Sequence, residues 1–289
     1  MSLNVLKKIL KPNITSPFKD NLFINKNVLI TGGGTGLGKQ IAKTYLNLGA
    51  TVTIASRKEE VLKNTCREFG NERIEYHILD LKKTDSIKNL VNNLKCLPDI
   101  VINNSAGNFI CPSEDLTYNG WNSILDIVLK GTTDLTLTLG KEMIKQSHPA
   151  SFINISTTYA GTGSGFVVPS AISKAGCDNL TKSLAAEWGK YGIRFNSIAP
   201  GPIYTEGAFS RLDPSGEFVK NVTDILPLGR LGEKEELANL VCFITSDQMS
   251  WITGQIINFD GGETVGNSGE FNFLNKLKPK DWLNLKSKM

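Results

Sequence analysis

The chain reads as an α/β fold: a doubly wound, mainly parallel sheet with helices on both faces. Three observations carry this expectation: seven short apolar runs, helix-like stretches between them, and a glycine-rich turn directly after the first run. Strands that alternate with helices at this spacing need right-handed crossovers, which cover both faces of a parallel sheet. At 289 residues the chain exceeds the usual one-domain range of about 100–200 residues, but single α/β domains commonly reach this size, so one domain is expected.

The first strand is NVLIT at 27–31, and the turn Gly32–Gly38 follows it. Lys39 to Leu48 carries apolar residues at helical spacing until Gly49 ends the helix. TVTIAS at 51–56 is the second strand, and IEYHILD at 74–80, DIVINN at 99–104, SFINIS at 151–156, IRFNSIAP at 193–200 and QIINFD at 255–260 complete the seven. No repeat or low-complexity linker divides them. Residues 201–230 form the longest stretch without a clear period, a pattern typical of a binding loop or lid. Residues 1–20 are expected to be a basic N-terminal extension, 21–262 the Rossmann-type domain, and 263–289 a C-terminal extension.

Composition narrows the function classes. With 40% apolar and 21% charged residues the chain lies in the ordinary globular range, which excludes collagen-like, coiled-coil and disordered classes. No apolar run approaches the roughly 20 residues that span a bilayer, so no transmembrane segment is expected. The net charge of +4 sits at the ends: Lys7, Lys8, Lys11 and Lys19 against Asp20, and five lysines after residue 270 against Glu270 and Asp281. The body between them is slightly acidic, which argues against nucleic acid as a partner. Cys66, Cys96, Cys111, Cys177 and Cys242 form no close pair and the only histidines are His77 and His148, so free thiols and no metal site are expected.

The turn Thr31-Gly32-Gly33-Gly34-Thr35-Gly36-Leu37-Gly38 leaves a strand and opens a helix, where backbone N–H groups and the helix dipole can hold a phosphate. At the end of the second strand, where a carboxylate would bind the ribose 2′-hydroxyl of NAD, the chain reads Ala55-Ser56-Arg57-Lys58. A guanidinium there suits a 2′-phosphate, so NADPH is the expected cofactor, and a solvated loop arginine is the alternative. Asp80 either faces the adenine ring or caps the end of the third strand.

These segments resemble the short-chain dehydrogenase/reductase family. TGGGTGLG at 31–38, Asn103-Asn104-Ser105-Ala106-Gly107, Pro200-Gly201-Pro202 and Asp260-Gly261-Gly262 stand in that family's order over about residues 25–262. The resemblance implies that Asn103 and Asn104 stabilise the sheet beside the cofactor and that Pro200, Gly201, Pro202 and Ile203 border the nicotinamide. It also exposes a departure. The family's Tyr four residues before a Lys is replaced by Ser170 before Lys174, and its helper Asn appears as Val128. Ketone reduction needs a positioned acid, and a serine hydroxyl is a far poorer one than a phenol beside an ammonium. Another tyrosine, Tyr159, follows the fifth strand, and Asn108 follows the fourth. A phenol and a carboxamide suit a carbonyl oxygen that becomes an enolate without receiving hydride on its own carbon.

More narrowly, INNSAGNF, FVVPSAISKAG, AAEWGKYGIRFN, PGPI, GAFSRLDPSG and FDGGE resemble the 2,4-dienoyl-CoA reductases, the mitochondrial branch above the peroxisomal. That resemblance implies NADPH-dependent reduction of 2,4-dienoyl-CoA thioesters to 3-enoyl-CoA in the β-oxidation of unsaturated fatty acids. Tyr159 and Asn108 would bind the thioester oxygen, Lys174 the nicotinamide ribose, and Ser170 would support the network. Arg57, Lys82, Phe109, Thr117 and Arg211 would line the path of the acyl-CoA substrate, with the C-terminal extension on or near the substrate side. The alternatives are a 3-oxoacyl thioester or ketone reductase and a catalytically silent NADPH-binding protein. A homotetramer is implied by the same resemblance. A mitochondrial location is expected, with a peroxisomal one as the alternative because Ser287-Lys288-Met289 is one residue from Ser-Lys-Leu.

Overall fold

The computed structural model describes residues 11–207, 213 and 217–287. Its strands are β1 Asn27–Thr31, β2 Thr51–Ser56, β3 Ile74–Ile78, β4 Ile100–Asn103, β5 Ala150–Ile155, β6 Ile193–Pro200 and β7 Ile256–Phe259. They form one sheet in the order β3-β2-β1-β4-β5-β6-β7, and every neighbouring pair is parallel. The sheet expected to be mainly parallel is thus wholly so among the described residues. β3 is shorter than the apolar run at 74–80, because the chain turns at Asp80. There the Lys83 N–H donates to the Asp80 carbonyl at 3.0 Å, and the Asp80 N–H donates to Ser86 Oγ at 3.0 Å.

Helices α1 Gly36–Asn47, α2 Glu59–Phe69, α3 Thr84–Asn93, α4 Tyr118–Leu125, α5 Thr132–Lys145, α6 Tyr159–Thr162 and α7 Val168–Trp188 fill the first two thirds of the chain. A π-helical stretch, Asp126–Gly131, joins α4 to α5. Lys234–Thr245 covers the sheet beside α1, and Glu263–Ser268 and Pro279–Lys286 follow β7.

Strand alternation divides the apolar residues between two cores. Val28, Ile30, Ile100, Ile102 and Ile153 point to one face, where α1 brings Ile41 and Tyr45 and the helix Lys234–Thr245 brings Leu237 and Val241. Leu29, Val101 and Phe152 point to the other, against Leu135, Leu139 and Met143 of α5 and Trp188 of α7. Phe152 stacks on Phe195 with centroids 4.6 Å apart, and Trp188 meets Phe195 edge-on at 5.8 Å. Both faces are covered, which is why the strands read as near-continuous apolar runs.

The order reverses between β1 and β4, so the loops that leave those two strands diverge and open a crevice at the carboxyl edge of the sheet. Close packing holds the helices beneath it. A Cβ at Gly140 of α5 would stand 2.0 Å from Trp188 Cζ3. Alanine is ordinarily the better helix former by about 1 kcal/mol, but overpacking a core costs about 1–3 kcal/mol. Gly140→Ala is therefore expected to lower the thermal midpoint; a raised midpoint in calorimetry would contradict this packing.

Candidate active site

One wall of the crevice is the glycine turn. Thr31 is buried at the end of β1, and its hydroxyl oxygen accepts the N–H groups of Asn104 and Ser105, each at 3.0 Å. The two loops at the reversal are thereby joined. Gly32 and Gly36 have φ of +68° and +54°, the left-handed region that disfavours other residues. A Cβ at Gly38 would lie 2.5 Å from both the Gly32 carbonyl oxygen and Asn104 Nδ2, so only glycine lets α1 begin this close to the loop. Gly33 and Gly34 pack against Ile54 of β2 and Val61 of α2 in the same way. Thr35 caps α1 without a side-chain hydrogen bond, which leaves first-turn N–H groups available to a phosphate. Leu37 is half-buried on that turn.

Arg57 follows β2, two residues beyond Ala55, whose carbonyl accepts the Gly32 N–H at 2.7 Å. It is exposed, with no ion pair among the described residues. A glycine turn at a helix start and an exposed guanidinium beside it are both groups that could meet a phosphate. Asp80 is half-buried, and its carboxylate accepts the Lys82 N–H at 3.1 Å, the role of a strand-end cap.

The opposite wall brings the second tyrosine into register with Asn108 and Ser170. Tyr159 is the first residue of α6, just past β5. Its phenol oxygen accepts a hydrogen bond from Asn108 Nδ2 at 3.1 Å and lies 3.2 Å from Ser170 Oγ. Asn108 is itself oriented, because its Oδ1 accepts the Phe109 N–H at 2.9 Å. Ser170 is buried in the first turn of α7, and Lys174 lies one turn further along the same helix face. The Lys174 ammonium donates to the Ile155 carbonyl at the end of β5, and burial pulls its pKa below the usual lysine range. All four residues expected to act in catalysis thus converge: three in hydrogen-bond contact, the fourth one helical turn away.

Beneath them runs a buried ladder. Asn103 Nδ2 donates to Asn154 Oδ1 at 2.9 Å and to Thr136 Oγ1 at 3.1 Å. Asn154 Nδ2 donates to Thr181 Oγ1 at 2.8 Å, and Thr181 meets Ser197 at 2.8 Å.

The loop after β6 closes the crevice. The Gly201 N–H donates to the Phe259 carbonyl at 3.0 Å, and a Cβ on Gly201 would stand 2.8 Å from Asp260 Cα. Pro202 accepts the Gly232 N–H, Ile203 is buried, and Thr205 reaches within 3.5 Å of the Cβ position at Gly36. Pro200 to Ile203 therefore sit between the glycine turn and the tyrosine.

The substrate-side residues divide. Phe109 and Thr117 both border Gly120, at 3.3 and 3.2 Å from its Cβ position, and Phe109 adjoins Asn108. Thr117 is exposed, and its hydroxyl caps α4 by accepting the Gly120 N–H at 3.1 Å. Lys82 is exposed on the turn after β3. Arg211 lies outside the described residues.

One contact was not anticipated. Thr158, beside Tyr159, donates its hydroxyl to Glu263 Oε2 at 3.0 Å, and the same oxygen lies 3.1 Å from the Cβ position of Gly201. Desolvation raises the Glu263 pKa, and the Thr158 bond offsets part of that rise. The only trace in the sequence is the last letter of FDGGE. Val128 is buried in the π-helical stretch, where its carbonyl accepts the Cys177 thiol at 3.2 Å, so no carboxamide reaches the site from there. Among the described residues no group of three His, Cys, Asp or Glu side chains could hold a metal ion, and no helix is long and apolar enough to cross a membrane.

Known proteins are similar to this chain in sequence and fold. The family described as Enoyl-(Acyl carrier protein) reductase matches residues 32–264. An uncharacterized oxidoreductase from Caenorhabditis elegans is 48% identical over 271 residues, 89% of this chain and 86% of its own. A probable 2,4-dienoyl-CoA reductase of the (3E)-enoyl-CoA-producing kind, also from Caenorhabditis elegans, is 44% identical over 275 residues, 91% of this chain and 89% of its own. The solved structure of a short chain dehydrogenase from Bacillus anthracis superposes with a TM-score of 0.76 at 40% identity, covering 82% of this chain and 96% of that one.

The glycine turn yields a direct test. Gly38→Ala is expected to weaken dinucleotide binding about tenfold or more in a fluorescence titration, since the methyl displaces the turn whose N–H groups could meet a phosphate. Unchanged affinity in the folded variant would contradict the placement.

Proposed function

The chain belongs to the short-chain dehydrogenase/reductase family and is an oxidoreductase, and from that premise we propose that it reduces 2,4-dienoyl-CoA thioesters to 3-enoyl-CoA with NADPH. The observation that carries the reading is the phenol of Tyr159 held between Asn108 and Ser170, with serine at the place of the family's usual tyrosine.

When bound, NADPH supplies hydride to the δ-carbon of the dienoyl chain. The electron pair displaced along the conjugated system accumulates on the thioester oxygen, far from the carbon that is reduced. Asn108 donates one amide hydrogen to the Tyr159 oxygen, so the phenol's own proton points either to Ser170 Oγ at 3.2 Å or, once the serine hydroxyl turns to donate, to a ligand. The second amide hydrogen of Asn108 is a further donor. Two oriented donors in a partly buried site stabilise a developing oxyanion without reorganisation, the largest single contribution in many such reactions. Protonation at the α-carbon then leaves a 3-enoyl thioester, the product class that the name of the 44% identical relative carries. In this reading Lys174 keeps the floor of the site positive and holds the nicotinamide ribose. Arg57 favours NADPH over NADH, because a guanidinium binds a 2′-phosphate in bidentate fashion. Phe109 and Thr117 line the acyl path in this reading, and Lys82 contributes positive charge toward the CoA phosphates.

The wild-type protein is expected to oxidise NADPH with a short 2,4-dienoyl-CoA, and Tyr159→Phe to lose about 10²–10³-fold in kcat. No turnover by folded wild-type protein, or turnover of a 3-oxoacyl-CoA in its place, overturns the proposal. Arg57→Gln is expected to raise KM for NADPH by about tenfold or more while KM for NADH changes little, since only NADPH loses a charge-assisted contact. Equal changes for both cofactors would contradict the role given to Arg57.

A further inference from the structure

Lys174 and Asp178 are the only buried lysine and aspartate among the described residues, 7% and 8% exposed, and they stand one turn apart on α7. The last residue of β5 and the residue after it receive them. The ammonium donates to the Ile155 carbonyl, and the Ser156 hydroxyl donates to Asp178 Oδ2 at 2.9 Å. Asp178 Oδ1 is buried with no hydrogen-bond partner. An ionised carboxylate buried with an unsatisfied oxygen is costly unless a charge of opposite sign stands close by. Side chains four residues apart on a helix are about 5–6 Å apart at Cβ, so Lys174 and that carboxylate act on each other through space, without a direct ion pair.

We infer that Asp178 is the counter-charge that keeps Lys174 an ammonium in the closed floor of the site, and is thus a positioning residue for the reaction. Burial drives each group toward its neutral form: the lysine is lowered chiefly by desolvation, and the carboxyl is raised by desolvation, partly offset by the Ser156 and Ser197 hydroxyls and then by the charges of Lys174 and Lys182. The other groups around the pair are few. Lys174 also faces the Cys177 thiol, and Asp178 faces Lys182 on its own helix and Ser197 of β6, whose hydroxyl meets Thr181. Lys182 does not stand in for Lys174, because only Lys174 shares the buried pocket between α7 and β5.

Two experiments test the pairing. The first rests on the proposed activity: in Asp178→Asn the alkaline limb of kcat/KM should move down by about 1–3 pH units. An unmoved limb overturns the inference.

The second needs no substrate and separates a failure of the pairing from a failure of the proposed reaction. Thermal midpoints are compared for Lys174→Met, Asp178→Asn and the double variant. Lys174→Met should be the least stable, and adding Asp178→Asn to it should restore part of the loss; strictly additive losses overturn the inference. Should Asp178→Asn fail to fold, Lys174→Met alone decides. Its orphaned carboxyl would have a folded pKa above the unfolded value, so its stability is retained at low pH and lost as pH rises through the folded pKa. The deficit relative to wild type should therefore widen from pH 5 to pH 8, and a constant deficit overturns the inference.

Discussion

The buried hydrogen bonds that run from Thr136 through Asn103, Asn154 and Thr181 to Ser197 tie the ends of β4, β5 and β6 to α5 and α7, and the candidate site stands on them. A buried donor left without a partner costs about 1–3 kcal/mol, so the amide hydrogens of this ladder, all matched here while Asn103 Oδ1 has no partner, favour this register over others. Its geometry sets where Asn108 leaves β4, where Tyr159 leaves β5, and how α7 presents Ser170 and Lys174. Because all strands run parallel, every one of these exits lies at the same edge of the sheet. The Thr31 hydroxyl does the same across the crevice, joining the glycine turn to the loop that carries Asn108.

Within that frame the replacement of the usual tyrosine by Ser170 is not a loss of the donor but a change in the direction from which it comes. Tyr159 reaches the same neighbourhood from the start of α6, fifteen residues ahead of Lys174, and Ser170 becomes its hydrogen-bond partner. In the proposed reaction this separation matters. The oxygen that gains charge and the carbon that gains hydride are different ends of one conjugated chain, so oxygen donors need not crowd the reduced carbon.

Much of the fold was legible in the sequence, because strand burial is a local pattern. Runs such as NVLIT and SFINIS are buried on both faces and read as strands without knowledge of their neighbours. The glycine turn was legible for a similar reason, since close backbone approach leaves few alternatives to glycine. What lay hidden depends on side chains that meet across long stretches of chain. The Thr158 to Glu263 bond spans 105 residues and the Ser156 to Asp178 bond spans 22, and neither leaves a periodic trace. The π-helical stretch at Asp126–Gly131 was also missed: it depends on packing, including the contact of Gly131 with Leu81, where a Cβ would stand 2.6 Å from the Leu81 carbonyl oxygen. The early end of β3 followed from a side-chain hydroxyl, Ser86, that takes over one strand N–H.

The proposed reaction separates the carbon that is reduced from the oxygen that Tyr159 and Asn108 would hold. The most direct measurement is the position of the label in the product after turnover of a 2,4-dienoyl-CoA with NADPH deuterated at the transferred hydrogen. The account requires deuterium at the δ-carbon of a 3-enoyl thioester and none next to the carbonyl. Deuterium at the β-carbon, or on a carbon that bears a new hydroxyl group, would contradict it.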